Sequence, residues 1–314
     1  MKTYIFDPIS ADALSYAKER LDVVTWDDPE IKNIANAEAV IVRTYKMTPE
    51  IMDQMPKLRI IAKHGVGVDN IDIPYAKSKD IVVTNTPTAN SNSVAELIIG
   101  LILDCSRKIT ASHLECIKGL EKNQPMYLSG QEISGKKIGL IGVGHIGAIV
   151  GKRLIGGFNM KVLAYDPFLP QDKCEAMGFA YTTDVNEIYK TCDVISISVP
   201  LTEQTRNMVS TNEFTMMKPS AIVINASRGG IINEQALTDA LHRNQIFGAA
   251  IDAFVAEPVP KDHPLFSCFN FIGTPHNGAN TKDALSNMGY GSIDEILRVE
   301  QGVPTLTDLG ARIK

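Results

Sequence analysis

The sequence predicts an α/β protein with two domains, each a doubly wound parallel sheet with helices on both faces. Three observations lead to this prediction. Short runs rich in Val and Ile alternate with amphipathic helical segments along most of the chain. The alternation is interrupted once, by a long helical stretch after about residue 90, and then resumes. The length of 314 residues also exceeds what one hydrophobic core usually organises.

The first part of the chain contains five predicted strands. They are expected at Thr3–Phe6, Asp22–Trp26, Ala39–Arg43, Arg59–Lys63 and Ile81–Thr84. Between them, Ala11–Arg20 and Pro49–Met55 have the apolar spacing of helices. A long helical stretch is then predicted from about Ser93 to Leu120, because no proline interrupts it and its apolar residues fit a buried helical face.

The second part of the chain repeats the strand and helix alternation. A loop at Asn123–Glu132 leads to it, because Pro125 and Gly130 interrupt the helical pattern there. Strands are expected at Lys137–Ile141, Lys161–Tyr165, Val194–Val199, Ala221–Asn225, Phe247–Ile251 and Asn270–Gly273. Residues from about Asp283 have a helical pattern. A helix there could pack against the first domain.

Composition and charge exclude several classes of protein. The chain is 44% hydrophobic and 21% charged, as is usual for globular enzymes. Its formal net charge is -5 and no cluster of Lys and Arg occurs, so we expect no nucleic-acid partner. The longest apolar stretch, Leu97–Leu103, is far shorter than the ~20 residues of a membrane span, so no membrane association is expected.

The N-terminus and the cysteines favour a cytoplasmic protein. Met1–Asp7 has the pattern of a strand and lacks the apolar core of a secretory signal. None of the five cysteines belongs to a CxxC pair, so neither a metal site nor a disulfide framework is predicted. No activating pattern accompanies any of them, so a catalytic cysteine is not expected. The five positions are Cys105, Cys116, Cys174, Cys192 and Cys268.

A dinucleotide site is predicted at Gly142-Val143-Gly144-His145-Ile146-Gly147. The motif follows a predicted strand and opens the helical run Ala148–Leu154, which is the context that a glycine-rich phosphate loop requires. Asp166 ends the next strand, 19 residues beyond Gly147 (166 − 147). A carboxylate there accepts hydrogen bonds from ribose hydroxyls and repels a 2′-phosphate, so NAD is favoured over NADP. A simple Asp-Pro turn at the strand end is the alternative.

Three charged residues follow predicted strands and form a candidate catalytic set. Arg228, Glu257 and His276 are all expected at the carboxyl edge of the sheet, where ligands bind in parallel α/β folds. His276 suits the base that takes a hydroxyl proton during hydride transfer, because histidine titrates near neutral pH. Glu257 would orient the imidazole, and Arg228 would bind a substrate carboxylate. Each residue alone could instead be an ordinary loop residue.

The motifs together resemble those of the D-isomer-specific 2-hydroxyacid dehydrogenase family along nearly the whole chain. The matching segments are Lys63–Asp72, Asn92–Glu96, Gly142–Gly147, Asn225–Gly229, Asp252–Pro258 and Thr274–Gly278. The resemblance implies a Rossmann NAD domain at 96–284, inserted into a flavodoxin-like substrate domain formed by 1–95 and 285–314. It also implies a homodimer built on the NAD domains, and Arg228, Glu257 and His276 as the catalytic residues.

The same resemblance implies two sets of binding residues. NAD would contact Gly142, Gly144, His145, Ile146, Gly147, Asp166, Val199, Pro200, Thr205, Ala226, Ser227, Arg228, Asp252 and His276. A small 2-hydroxy or 2-keto acid would contact Arg43, Lys63, His64, Gly65, Val66, Gly67, Arg228 and His276.

Within the family, Gly65–Asp72 and Val42–Thr44 are most similar to the 3-phosphoglycerate dehydrogenases of serine biosynthesis. This implies oxidation of 3-phosphoglycerate to 3-phosphohydroxypyruvate. Lys63-His64 stands where many members of that subgroup have Arg-Ala, which leaves the phosphate contact open. A C-terminal serine-sensing domain is not expected, since the sequence stops at Lys314. The alternatives are a reductase of hydroxypyruvate, glyoxylate or another 2-keto acid and, in a different class, an NAD-sensing binding protein or corepressor.

Overall fold

A computed structural model describes residues 1–120 and 125–312 of the chain. The chain forms two compact units, one of residues 1–93 with 279–314 and one of residues 94–278. Each unit contains a sheet whose paired strands are all parallel. The predicted α/β fold with two doubly wound sheets is therefore confirmed. The domain limits expected from the sequence, 95/96 and 284/285, stay predictions.

The first unit contains a five-stranded sheet. Its strands are β1 Lys2–Ile5, β2 Asp22–Val24, β3 Ala39–Val42, β4 Ile60–Lys63 and β5 Val82–Thr84. They lie in the order β2-β1-β3-β4-β5, so the order reverses between β1 and β3. In an open parallel sheet a ligand crevice forms at the carboxyl ends of the strands beside such a reversal. The helices of this unit are α1 Ala11–Lys18, α2 Pro49–Met52, α3 Ile73–Ser78 and α11 Lys282–Glu300.

Apolar side chains cover both faces of this first sheet. Tyr4 and Ile61 belong to one core layer, and Ile5 and Ile60 belong to the other. Successive residues of a strand point to opposite faces, which explains why neighbours in β1 and β4 enter different layers. Ile293 of α11 joins the second layer, so the C-terminal helix helps to cover the sheet formed by the N-terminal strands.

The second unit contains a seven-stranded sheet. Its strands are β6 Lys137–Ile141, β7 Lys161–Tyr165, β8 Ala180–Tyr181, β9 Val194–Ile197, β10 Ile222–Asn225, β11 Gly248–Ile251 and β12 Phe271–Gly273. They lie in the order β12-β11-β10-β9-β6-β7-β8, and the order reverses between β6 and β9. This is the strand order of a Rossmann sheet with one additional strand at its edge.

Seven further helices complete the fold, and α4 runs from the first unit into the second. They are α4 Ser91–Arg107, α5 Ile109–Lys118, α6 His145–Phe158, α7 Gln171–Ala176, α8 Val185–Thr191, α9 Thr211–Met216 and α10 Glu234–His242. Short 3-10 segments occupy Pro29–Lys32, Ile34–Asn36, Met126–Leu128, Pro264–Ser267 and Gly310–Arg312.

The helical stretch predicted from about Ser93 to Leu120 is helical in the structure, but it is divided into two helices. Lys108 separates α4 from α5 with a left-handed backbone (φ 53°). The Asp104 carboxylate accepts hydrogen bonds from the backbone and hydroxyl of Thr110, at 2.8 and 2.5 Å. The bond from the Thr110 amide satisfies one of the donors that a new helix start leaves unpaired. Part of the loop expected at Asn123–Glu132 lies outside the described residues.

Candidate active site

The glycine loop after β6 is shaped by contacts that exclude side chains. Gly142 has φ +91°, and a Cβ there would lie 2.5 Å from the carbonyl oxygen of Ser198. A Cβ on Gly147 would lie 2.3 Å from the carbonyl oxygen of Gly142. A Cβ on Gly144 would have no neighbour within 4 Å, so space stays open beside the loop. This arrangement fits a dinucleotide, whose pyrophosphate needs close approach to the backbone at this point.

Helix α6 starts directly after this loop and presents its first amides there. Gly144 is the N-cap residue and has no side chain that could cap the helix. His145 is exposed and Ile146 is half-buried in the first turn. The first amides of a helix have no partner within the helix, and together with the helix dipole they attract phosphate oxygens. The start of α6 is therefore suited to an anion.

Asp166 lies at the carboxyl end of β7, beside the glycine loop. Its Oδ2 accepts a hydrogen bond of 2.9 Å from the amide of Val143. Its Oδ1 accepts one of 2.9 Å from the amide of Phe168. Each carboxylate oxygen has more than one acceptor site. The structure therefore fixes this carboxylate where the sequence predicted a ribose acceptor and leaves it capable of further bonds.

The turn after β9 borders the same loop. Val199 is half-buried and Pro200 is exposed there. The Thr205 hydroxyl donates to the carbonyl oxygen of Pro200 at 2.7 Å and accepts from the amide of Thr202 at 2.8 Å. These bonds hold the turn at the point where the strand order reverses, which is the ligand crevice of a Rossmann sheet.

His276 and Glu257 form a hydrogen-bonded pair. The imidazole Nδ1 of His276 lies 2.9 Å from Oε2 and 3.2 Å from Oε1 of Glu257. A carboxylate accepts, so Nδ1 carries the proton and Nε2 is left for another partner. The two side chains are 47% and 39% exposed. Glu257 also accepts a bond from the Phe254 amide at 3.0 Å, which fixes its orientation.

Asp252 holds the loop that carries His276. It is 1% exposed and accepts hydrogen bonds from the Thr274 hydroxyl at 2.6 Å and from the amides of Asn277 and Gly278 at 2.7 and 2.9 Å. Its own carbonyl accepts from the amide of His276 at 2.7 Å. The sequence predicted Asp252 as a cofactor contact, and the structure shows it supporting the loop.

Asn225 shapes the turn that carries Ser227 and Arg228. It is 1% exposed, its Oδ1 accepts from the hydroxyl of Ser227 at 2.7 Å, and its Nδ2 donates to the carbonyl of Arg228 at 2.8 Å. Ala226, Ser227 and Arg228 are half-buried after β10. A Cβ on Gly229 would lie 2.1 Å from the carbonyl oxygen of Phe254. The Arg228 turn therefore packs against the segment that leads to Glu257.

A second His–Glu pair supports this segment and was not predicted. Glu234 Oε1 accepts a bond from the amide of Val255 at 2.8 Å, and its Oε2 lies 3.1 Å from Nε2 of His263. Nδ1 of His263 accepts from the amide of Leu265 at 3.4 Å. The two side chains are only 14% and 16% exposed. No sequence signal marks the pair, since its partners lie 21 and 29 residues from Glu234.

In the first unit, the predicted substrate residues follow β3 and β4. Lys63 is 7% exposed, and its Nζ donates to the carbonyl of Arg43 and to Oδ1 of Asn70, both at 2.5 Å. His64 is 1% exposed, and its Nε2 lies 3.1 Å from the carbonyl oxygen of Leu285. Burial, followed by the charge of Arg43, lowers the pKa of His64 to about 4, so this imidazole is neutral near physiological pH.

The turn after His64 offers backbone amides. Gly65 has φ +139°, and its amide donates to the Thr86 hydroxyl at 3.2 Å. Within the part of the chain that the structure describes, the amides of Val66 and Gly67 donate to no protein acceptor. Two neighbouring unpaired amides can bind an anionic oxygen, as the sequence predicted for this turn.

The second unit matches a known family. The family model "D-isomer specific 2-hydroxyacid dehydrogenase, NAD binding domain" covers residues 99–278, more than half of the chain. The chain belongs to the D-isomer-specific 2-hydroxyacid dehydrogenase family. The match assigns NAD binding to the unit that contains the glycine loop, Asp166 and the His276–Glu257 pair.

Several 2-hydroxyacid dehydrogenases resemble the chain along its length. A D-3-phosphoglycerate dehydrogenase of Methanocaldococcus jannaschii is 39% identical over 307 residues, covering 96% of this chain and 58% of that protein. The chain thus spans little more than half of this relative. A hydroxypyruvate reductase of Thermotoga maritima is 37% identical over 306 residues, covering 95% and 97%. The solved D-lactate dehydrogenase with NAD+ from Lactobacillus jensenii has a TM-score of 0.83 and 28% identity, covering 98% and 99%.

This 2-hydroxyacid dehydrogenase family member differs from metal-dependent and membrane-spanning proteins in the part of the chain that the structure describes. Within residues 1–120 and 125–312, no group of three His, Cys, Asp or Glu side chains is placed to hold a metal ion. No helix of that part has the length and hydropathy needed to cross a bilayer. All five cysteines are free thiols, and Cys116 on α5 is exposed. Burial raises the thiol pKa of the other four, which are Cys105, Cys174, Cys192 and Cys268.

Proposed function

We propose that this protein is an NAD-dependent D-2-hydroxyacid dehydrogenase, which transfers a hydride between C2 of a small 2-hydroxy acid and NAD. The observation that carries this proposal is the 2.9 Å contact between His276 and Glu257. The pair follows the carboxyl ends of the same parallel sheet as the glycine loop and Asp166. A hydride-transfer enzyme requires an acid–base pair beside its cofactor, at the carboxyl edge of the sheet. A protein that only senses NAD does not require such a pair.

The chain's own residues supply proton transfer and substrate binding. NAD, held at the glycine loop and Asp166, would supply the hydride acceptor for C2. Nε2 of His276 takes the proton of the C2 hydroxyl while the carbonyl bond forms, and it returns that proton in the reductive direction. Glu257 stabilises the resulting imidazolium through Nδ1. Arg228 binds the substrate carboxylate, because a guanidinium offers parallel donors to the two oxygens.

For the substrate we propose 3-phosphoglycerate, which would be oxidised to 3-phosphohydroxypyruvate. Arg43 supports this choice, because its guanidinium makes no hydrogen bond or ion pair with the described residues. The Val66 and Gly67 amides would bind the carboxylate. A second candidate is an unphosphorylated acid such as hydroxypyruvate or glyoxylate. It is favoured by Lys63, whose ammonium already bonds two protein acceptors instead of offering a second cation for phosphate.

The experiment that tests the proposal follows NADH absorbance with a panel of 2-keto acids. The panel contains 3-phosphohydroxypyruvate, hydroxypyruvate, glyoxylate and pyruvate. We expect the highest kcat/KM with the phosphorylated acid. A preference for an unphosphorylated acid would keep the reaction class and replace the substrate. No turnover with any of them, together with tight NADH binding and a captured protein partner, would favour the NAD-sensing alternative.

Replacement of Asp166 by alanine tests the cofactor assignment. We expect NADH affinity to fall about 10- to 100-fold, the range for a lost hydrogen bond to a charged group, and discrimination against NADPH to decrease. NADH and NADPH fluorescence titrations of wild type and variant measure both effects. The matched control is Asp172→Ala, which removes an exposed carboxylate of α7. An unchanged NADH to NADPH preference would contradict this role of Asp166.

We also propose that the protein is a homodimer built on the second unit. Helix α5 exposes Ile109, Leu114 and Ile117, which are 55%, 50% and 69% accessible. Leu114 and Ile117 are three residues apart and share a helix face, and exposed apolar clusters mark interaction surfaces. Ile117→Asp should convert a dimer into monomers in light scattering. Leu306→Asp is the control, since Leu306 is 71% exposed in the first unit. A wild-type monomer would refute the proposal.

A further inference from the structure

The turn Arg43–Tyr45 of the first unit is held on one side by the carboxylate of Asp7. Asp7 follows β1, and the turn follows β3, at the reversal of the strand order. Oδ2 of Asp7 accepts hydrogen bonds from the three successive amides of Arg43, Thr44 and Tyr45, at 2.7, 3.0 and 3.1 Å. Its Oδ1 accepts from the Thr44 hydroxyl at 2.5 Å. All three amides of the turn therefore donate hydrogen bonds to the same carboxylate.

Lys63 and Asn70 hold the other side of the same turn. Nζ of Lys63 donates to the carbonyl of Arg43 at 2.5 Å and to Oδ1 of Asn70 at 2.5 Å. Nδ2 of Asn70 donates to the carbonyl of Tyr45 at 2.6 Å. The Tyr45 ring also stacks on Phe6, with ring centroids 4.3 Å apart. The amides of the turn are thus bonded to the Asp7 carboxylate. Two of its carbonyls are bonded to the Lys63 ammonium and the Asn70 side-chain amide.

Burial of Lys63 makes its two bonds difficult to exchange for water. Lys63 is only 7% exposed, and an ammonium so far from water needs its acceptors. Burial alone would raise the pKa of Asp7, but the hydrogen bonds from Thr44 and from the backbone amides outweigh it and lower that pKa. Asp7 is therefore ionised at neutral pH. The guanidinium of Arg43 makes no hydrogen bond or ion pair with the described residues, although its backbone is fixed at both ends.

We propose that Asp7, Lys63 and Asn70 form a clamp that positions Arg43, and that Lys63 is a positioning residue instead of a substrate ligand. This inference rests on the proposed function, in which Arg43 binds the acidic group of the substrate distal to C2. The clamp bonds the backbone of the turn from which the Arg43 side chain extends. The distal group is then recognised by a single guanidinium, and Lys63 acts on the substrate through Arg43.

Two observables separate this role from direct binding. The first is backbone hydrogen exchange at residues 43–45, which depends on the clamp and needs no substrate. We expect Lys63→Met and Asp7→Asn to accelerate exchange there by roughly tenfold or more, since each loosens the turn locally. Lys57→Met is the matched control, because Lys57 is an exposed lysine of the same unit whose ammonium donates to Asn36, outside the clamp.

The second observable is a double-mutant cycle on the KM of the best keto acid. Lys63→Met should raise KM roughly tenfold in the wild-type background, with kcat changed less than KM. In an Arg43→Ala background the same substitution should change KM by less than about twofold, because two residues that act through one contact are not additive. Asp7→Asn should raise KM in the same way and also depend on Arg43. A carboxylate cannot bind an acidic substrate directly, so such an effect must act through the turn. Asp7→Asn also provides a second route if Lys63→Met folds poorly.

The outcomes are distinct. Equal KM effects of Lys63→Met with and without Arg43 would make Lys63 an independent ligand and overturn the inference. Unchanged exchange at residues 43–45 in both Lys63→Met and Asp7→Asn would also overturn it, whatever the activity. Faster exchange in a protein that turns over no keto acid would support the clamp and reject the proposed function.

Discussion

Replacement of His276 by alanine is expected to lower kcat by about 100- to 10,000-fold, the usual contribution of a general acid–base group. The imidazole is the side chain bonded to Glu257 through Nδ1, so its Nε2 is available to the C2 hydroxyl. Steady-state turnover at saturating keto acid and NADH measures the effect. NADH affinity, measured by fluorescence, should change much less than kcat, because proton transfer is lost while the glycine loop stays intact.

Two controls make this result specific. His242→Ala removes an exposed histidine of α10 and should leave kcat unchanged. His276→Asn removes the base but retains a residue type that tolerates the positive φ of 51° observed at this position. His64 cannot produce a pH response near neutrality, because burial holds its pKa at about 4. Near-normal turnover in both His276 variants would remove this residue from the mechanism.

Replacement of Asp252 by alanine is expected to lower both stability and turnover. The buried carboxylate accepts bonds from Thr274, Asn277 and Gly278, and a hydrogen bond to a charged group contributes about 1.5–3 kcal/mol. We therefore expect the free energy of unfolding to fall by about 3 kcal/mol or more, and kcat to fall because the His276 loop loses its anchor. Urea unfolding and steady-state kinetics measure the two effects.

The matched control for this substitution is Asp239→Ala, since Asp239 is exposed on α10 and its carboxylate accepts a bond from the exposed Gln235 one turn away. It should leave both quantities within about 0.5 kcal/mol of wild type, as surface substitutions usually do. Wild-type stability of Asp252→Ala would show that the three donors find other acceptors, and the anchoring role would then be wrong.

The parts that sequence reasoning could reach are those that depend on local pattern. The glycine spacing and Asp166 belong to one strand–helix–strand unit, so their geometry follows from neighbours in sequence. Arg228 and His276 could be assigned to one sheet edge because both follow apolar strands, and parallel strands end on the same side. Their roles stay predictions until the variants are measured.

The parts that it missed depend on partners distant in sequence. Asp7 lies 36 residues from Arg43, and Lys63 lies 20 residues from it, so neither the clamp nor the burial of Lys63 is visible in a local window. Lys63 was assigned to the substrate through the family resemblance, which carries no information on its burial in this chain. The break at Lys108 was missed because the helical periodicity continues across it, and the bonds from Thr110 to Asp104 decide the backbone there.

The distribution of the cysteines has a practical consequence. Thiolates react and buried thiols with raised pKa do not, so the native protein offers Cys116 as its one accessible thiol. A maleimide dye would therefore label the native chain at a single position without any engineered cysteine. That position lies on α5, the helix of the proposed dimer surface, so self-quenching of the dye between labelled chains would test the proposed dimer without any engineered residue.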